Sequence, residues 1–321
     1  MAHIHFRPES YQLAEDKKQT VKQTSFQKID QLTSLIYLDN PNTIFHFGEH
    51  VVEELLKNAD MVILSLSMKE FDEKTQLLSE VLKQMHQVSG TFCPLAKCLK
   101  DSVSSYRKTE KNLQKYSDAD QILNQFFTQI NHYVQEAENH FVLCERLFNN
   151  SVILYHDLIA HILAGRQGCK EIQQAVQETK DLTLLETYRK GIQLLQERVK
   201  QLSCIEQFAE KLIVSLKTIL LNHYEFRNKQ KHLIKVNTTV FRHLYMQTMF
   251  SMRQQAEKAS DPDAYTAEGF SVHVEMLEAQ WNIICAELKE IQWLKKGLRQ
   301  EHDKNITDLK NLKQEFDANS A

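Results

Sequence analysis

Two histidines and a glutamate near the start of the chain are spaced for metal chemistry. In His46-Phe47-Gly48-Glu49-His50 the histidines lie four apart. On an α-helix that spacing puts both rings on one face, where they can hold zinc with Glu49 as general base. The plainer reading is that two of 14 histidines fall four apart by position alone. Gly48 also sits inside the required helix, and a zinc hydrolase needs a third ligand further on, so the string reads as structural. His156 and His161 are five apart, off-face for a shared ion, and Cys93 and Cys98 lack both zinc-knuckle spacing and a matching second pair. Phosphate-binding loops, dinucleotide fingerprints and nucleophile elbows are absent from the sequence. These residues predict a non-enzymatic protein with no cofactor and no bound metal.

Charge is the more useful signal. Between Phe226 and Ala256 there is no Asp or Glu, while Arg227, Lys229, Lys231, Lys235, Arg242 and Arg253 are all present. At about 100° per residue, Arg227, Lys231, Lys235, Arg242 and Arg253 fall within about 80° of one another. Lys217 joins them, Lys229 points elsewhere, and the apolar line Phe226, Leu233, Val240 lies on the far side. The resulting basic stripe, Lys217 to Arg253, is about 54 Å long. It suits an anionic membrane surface or an acidic protein partner. The competing reading is internal pairing with acidic faces such as Glu136, Glu138 and Glu145, or Glu49, Glu53 and Glu54. Nucleic acid is not expected, since no recognition motif accompanies the charge. Met246, Met249 and Met252 read as core filler.

The elements that must position these residues are long helices. From Asp181 to Ser260 there is no proline and one glycine, Gly191. Apolar residues return every seventh position at Ile205, Leu212, Ile219, Phe226, Leu233 and Val240. A second seam runs through Tyr188, Ile192, Leu195, Val199 and Leu202, then Ala209, Ile213, Leu216 and Leu220. Such spacing seats one helix against others. Thr183 and Glu186 read as its capping residues, and Asp261-Pro262 ends it. Upstream, a helix is expected over Tyr11 to Leu38, and another from Pro41 to about Leu64. A third follows a Ser67/Glu70 capping box, and a fourth begins after Pro94. A clean seam then runs from Leu123 to Leu158, with Gly165 and Gly168 marking a kink or an end. The last helix carries Val274, Leu277, Trp281, Ile284, Leu288 and Ile291.

Composition agrees. Seven Gly and four Pro in 321 residues leave little material for sheet turns or catalytic loops. The net charge of -3 confines any electrostatic role to local patches. There is no secretory signal and no run of about 18 apolar residues for a membrane span. Cys93, Cys98, Cys144, Cys169, Cys204 and Cys285 read as buried free thiols in a reducing compartment, which places the protein in the cytoplasm. The expected fold is all-α, an elongated antiparallel bundle of long coiled-coil-like helices with shorter N-terminal helices packed at one end. It reads as a single domain over 1–321: short helices in 1–90, a long-helix stalk in 94–260 and a C-terminal long helix in 268–317. Its seams can also pair two copies of the chain.

The order of motifs resembles that of the toxic-anion-resistance (TelA/KlaA-like) proteins over about residues 40 to 255. Ile44-Phe-His-Phe47-Gly48 resembles the family's I-x-x-F-G opening of a helix. Ile159-Ala-His-Ile162-Leu-Ala164-Gly165 resembles its Y-I-x-A-G segment, and Glu197-Arg198 with Leu202 resembles its E-x-R-x-x-D-L segment. Lys217, Asn222 and Asn237-Thr238-Thr239-Val240 fall where the family has an Arg, an Asn run and a Thr-Thr-Ile stretch. Leu212-Ile213-Val214-Ser215 stands in place of its Thr-Ala-Pro-Gln. The resemblance implies a cytoplasmic helical protein tied to resistance against tellurite, other toxic anions or envelope-acting agents. Together with the Lys217 to Arg253 stripe it leads to the expectation of a protein that acts by binding or scaffolding, peripheral at the inner membrane face. The alternative is a membrane-surface or partner-binding scaffold of the pore-forming or remodelling type. Pore formation needs a long apolar segment, and Met61–Leu64 and Val152–Tyr155 are too short.

Overall fold

The computed structural model describes residues 7–38, 40–65, 76–90, 106–258 and 267–320, with side chains for 7–38, 40–65, 76–90, 120–233, 236–251, 273–301 and 303–314. All regular structure among them is helical. The order is α1 (Leu13–Gln23), α2 (Phe26–Thr33), α3 (Pro41–Phe45), α4 (Glu49–Ser65), α5 (76–90), α6 (Tyr106–Glu178), α7 (Leu182–His232), α8 (Thr239–Lys258) and α9 (Ala267–Ser320), with a π-helical turn, Leu233–Thr238, joining α7 to α8. The Ser67/Glu70 box, the start of the helix after Pro94 and the Asp261-Pro262 break lie outside the described residues.

Local chemistry moves several helix ends from their expected places. The helix over Tyr11 to Leu38 divides because Ser25 adopts an extended backbone and its hydroxyl accepts from the Lys28 N–H, capping α2. The helix expected from Pro41 divides at Gly48, whose φ of 73° lies in the turn between α3 and α4. Asp181, not Thr183, caps α7: its carboxylate accepts from the Thr183 N–H at 2.8 Å and the Leu184 N–H at 3.4 Å. Glu186 instead pairs with Lys190 one turn on. Gly165 and Gly168 do not end α6, which continues to Glu178.

The residues pack as two compact units where the sequence reads as one domain. Unit 1 draws on Met1–Ser67, Phe141–Leu221 and Glu301–Ala321, and unit 2 on Met68–His140 and Asn222–Gln300. The long helices α6, α7 and α9 each give one stretch to each unit. In unit 1, α6 and α7 run antiparallel, since Tyr155 meets Glu210 while Gly165 and Gly168 meet Val199 and Leu195. Tyr155, Leu158, Leu202, Leu212 and Leu216 fill its core. Each fully buried leucine there contributes about 2 kcal/mol. Asn58 on α4 is buried among them, donating to the Ser151 hydroxyl at 2.6 Å and the Leu147 carbonyl at 3.1 Å.

Unit 2 is built around aromatic rings. Trp281 lies 5.3 Å from Phe126 and 5.4 Å from Phe241, and its indole N–H donates to Ser89 on α5. The π turn changes which residues face this core. The seven-residue line from Phe226 through Leu233 predicts burial of Val240, yet Val240 is 41% exposed and Phe241 is fully buried. A π turn takes more residues per revolution, so the seam slips by one position across it.

Glycine lets α6 and α7 approach each other. A Cβ at Gly165 would stand 2.5 Å from Val199 Cγ2, a β-branched atom that cannot swing aside. Gly165→Ala should therefore destabilise unit 1 by about 1–3 kcal/mol through overpacking, despite a gain of about 1 kcal/mol in helix propensity. Adding Val199→Ala should restore most of the loss. Thermal melts of the parent, both single variants and the pair check this; an unaltered Gly165→Ala melt contradicts it.

Candidate functional site

Three segments distant in sequence meet in unit 1. Phe47, at the turn between α3 and α4, is buried with its ring 5.4 Å from that of His161. Its edge also reaches the bare backbone of Gly165. Gly48 lies beneath Leu202, close enough that an added Cβ would stand 3.2 Å from Leu202 Cδ2. Arg198 completes the junction: its Nε–H donates to the Phe47 carbonyl at 2.9 Å, and its Nη1 donates to Gln201. Burial pushes the Arg198 pKa down, while Glu49 acts in the opposite sense. Residues 44–48, 159–165 and 197–202 thus form one packed site, latched by a guanidinium on a turn carbonyl.

The metal geometry that the histidine string suggested does not form. His46 caps α3 and His50 lies in α4, with the Gly48 turn between them, so the two rings share no helix face. His46 Nδ1 instead pairs with Glu49. Among the described residues no group of three His, Cys, Asp or Glu is placed to hold a metal ion.

A groove of about 700 Å³ opens beside the junction, between α4, α7 and the end of α9. Val52, Leu56, Ile205 and Phe208 give it an apolar lining. Glu49 and Glu53 stand on the α4 side, and Lys200 and Lys211 on the α7 side. Cys204, expected to be buried, is an exposed thiol in this groove. Cys144 is buried, and Cys93 and Cys98 lie outside the described residues.

A second polar cluster fastens α1 to the α6–α7 pair. Neither α1 nor α2 contributes a fully buried residue; Leu13, Ile29 and Leu32 pack against the core only in part, and the polar contacts add to that hold. The Tyr11 hydroxyl donates to Asp16 at 2.9 Å, and the same carboxylate oxygen is 2.5 Å from His156 Nε2. Lys17 reaches Glu206 and Glu210, each at 2.8 Å, and Tyr155 donates to Glu210. Burial works against the charge of Lys17, but the two glutamates outweigh it and its pKa rises. Burial, with Asp16 and Glu210 beside them, also raises the pKa of Tyr11 and Tyr155.

The basic stripe is largely engaged within the protein. Lys217, in unit 1, donates to the Tyr11 carbonyl at 2.5 Å. In unit 2, Arg227 grips both carboxylate oxygens of Glu138, and Lys231 lies 3.3 Å from the same group. Glu138 was one of the acidic residues available for internal pairing. Lys229, off the stripe, pairs with Glu290. The Arg242 guanidinium sits 4.5 Å from the centre of the Phe127 ring, a cation–π contact. The side chains of Lys235 and Arg253 lie outside the described residues. Angles drawn at a constant 100° per residue also fail across Leu233–Thr238, so no straight stripe runs through that turn.

Fold and junction together define an all-α protein built on long helices, with a glycine turn latched between an antiparallel pair. The sequence model of the toxic anion resistance protein (TelA) family matches residues 29–261, and the chain belongs to that family. All three segments of the junction fall inside the match, whereas α1 and α9 fall outside it. Neither a curated protein nor a solved structure matches the chain.

Arg227, then Lys231, hold the Glu138 carboxyl below its ordinary 4.5, against an opposing effect of partial burial. A carboxylate depressed in the folded state stabilises fully above its unfolded pKa and stops doing so as pH falls through the folded value. Glu138→Gln should therefore cost about 1–3 kcal/mol at neutral pH by leaving Arg227 without its counter-charge. The deficit should shrink as the pH drops below 4.5. Denaturant titrations of both chains across that range check it, and a pH-independent difference would contradict it.

Proposed function

We infer that this chain serves resistance to toxic anions such as tellurite, or to envelope stress, by binding a partner without catalysis. Family membership ties it to toxic anion resistance. The observation that supports the binding mode is the convergence of 44–48, 159–165 and 197–202 beside a groove with apolar lining and charged sides. The arginine there is engaged with a backbone carbonyl and a glutamine, which is the work of a scaffold holding a surface in shape. Apolar lining between acidic and basic walls suits an amphipathic helix of a protein partner, whose charged edges would meet Glu53 and Lys211. The protein acts in the cytoplasm in this reading. Among the described residues no helix is long and apolar enough to cross a membrane.

Survival under graded tellurite and envelope-active antibiotics tests it, in a strain deleted for the gene and complemented with parent or variant chains. The parent should restore survival, and Lys200→Glu with Lys211→Glu should fail to do so while accumulating at the parental level. Both substitutions change exposed groove residues only. Full rescue by the groove variant would remove the groove from the mechanism. A deletion strain with no sensitivity would remove the resistance role itself.

A further inference from the structure

The two tryptophans of the chain have opposite surroundings. Trp281 is 1% exposed at the centre of unit 2, whereas Trp293, three turns further along α9, is 71% exposed. A fused aromatic ring left in water forgoes much of the burial free energy that its size offers, so such exposure needs a reason. Its neighbours on the helix surface supply one. Lys289 and Lys296, four residues before and three after, share its face and are exposed. Glu290, three residues before the ring and half exposed, has its charge met by Lys229 of α7, and Glu287 pairs with His232. Ala286, Gln292, Gly297 and Gln300, also exposed, add neither negative charge nor bulk around the ring.

We propose that the Lys289–Trp293–Lys296 face of α9 seats unit 2 on an anionic lipid surface. A single large ring between cations, on a convex helix with small and polar neighbours, lacks the clustered apolar centre of a protein–protein interface. It has the form of an interfacial anchor. The indole lies at the headgroup level with its N–H still hydrated, and the lysine stems lie along the surface while their ammonium groups meet lipid phosphates. Charge complementarity selects the anionic leaflet. This face lies outside the family match and is separate from the unit 1 groove, so it stands or falls independently of the reading above.

Tryptophan emission of the full chain is the direct test, because buried Trp281 supplies a constant background. Vesicles containing phosphatidylglycerol should shift the emission to the blue, and neutral phosphatidylcholine vesicles or soluble glycerol phosphate should not. Raised salt should weaken the effect. Trp293→Phe should abolish the shift, and Lys289→Glu with Lys296→Glu should lower vesicle affinity by at least about tenfold. Three results would overturn the proposal: no shift with anionic vesicles, a shift that persists in Trp293→Phe, or parental affinity in the double charge reversal. A lipid-free shift that grows with protein concentration would assign the face to self-association instead.

Discussion

Everything in unit 1 depends on how closely α6 and α7 can approach, and that distance is set where α6 has no side chain in the way of α7's. Gly165 faces Val199 and Gly168 faces Leu195. The space beside Gly165 admits the edge of Phe47, which is buried at the turn between α3 and α4, and the space beside Gly168 admits Ile36 and Thr33. That turn needs the positive φ of Gly48 and leaves a carbonyl pointing at α7, which Arg198 takes up. Close packing makes these features mutually dependent: thicken one helix and the wedge, turn and latch all lose their geometry. The groove beside them inherits its shape, because α4 starts at the turn and α7 carries the latch.

Unit 2 solves a different problem. Its core is centred on aromatic rings, and several of its charged residues are paired across helices: Arg227 and Lys231 with Glu138, Lys229 with Glu290, His232 with Glu287. The acid-free stretch after Phe226 is positive along the chain but partly neutralised in space, since its counter-charges arrive from α6 and α9. The π turn is the other local device. It slips the seam by one position, burying Asn237, Thr238 and Phe241 and leaving Val236 and Val240 in solvent. Gln280 of α9 meets the turn, donating to Asn237.

The all-α fold was legible because it is written in spacing and in the scarcity of glycine and proline. The family was legible because its motifs stand in order, and the match over 29–261 bears that out. Less legible were features set by neighbours distant in sequence. Gly165 and Gly168 look like helix breakers in one dimension, yet serve helix contact in three. The His46–His50 pair needs a continuous helix; Gly48 argued against one in the sequence, and its φ of 73° between α3 and α4 shows where the break falls. Val240 followed from a constant helical period that the π turn does not obey. Two compact units were hidden for the same reason: one unbroken helix such as α7 serves both, so no linker marks the division.

The Arg198 latch is tested most directly by amide hydrogen exchange on the full chain, comparing the parent with Arg198→Met. If the latch organises the junction, protection should fall across 41–65 and the neighbouring turns of α6 and α7 around Gly165 and Val199. Protection in unit 2 around Phe241 and Trp281 should stay unchanged, because local opening follows cooperative units. Unaltered protection around Gly48, or an equal loss in both units, would contradict a junction held by this arginine.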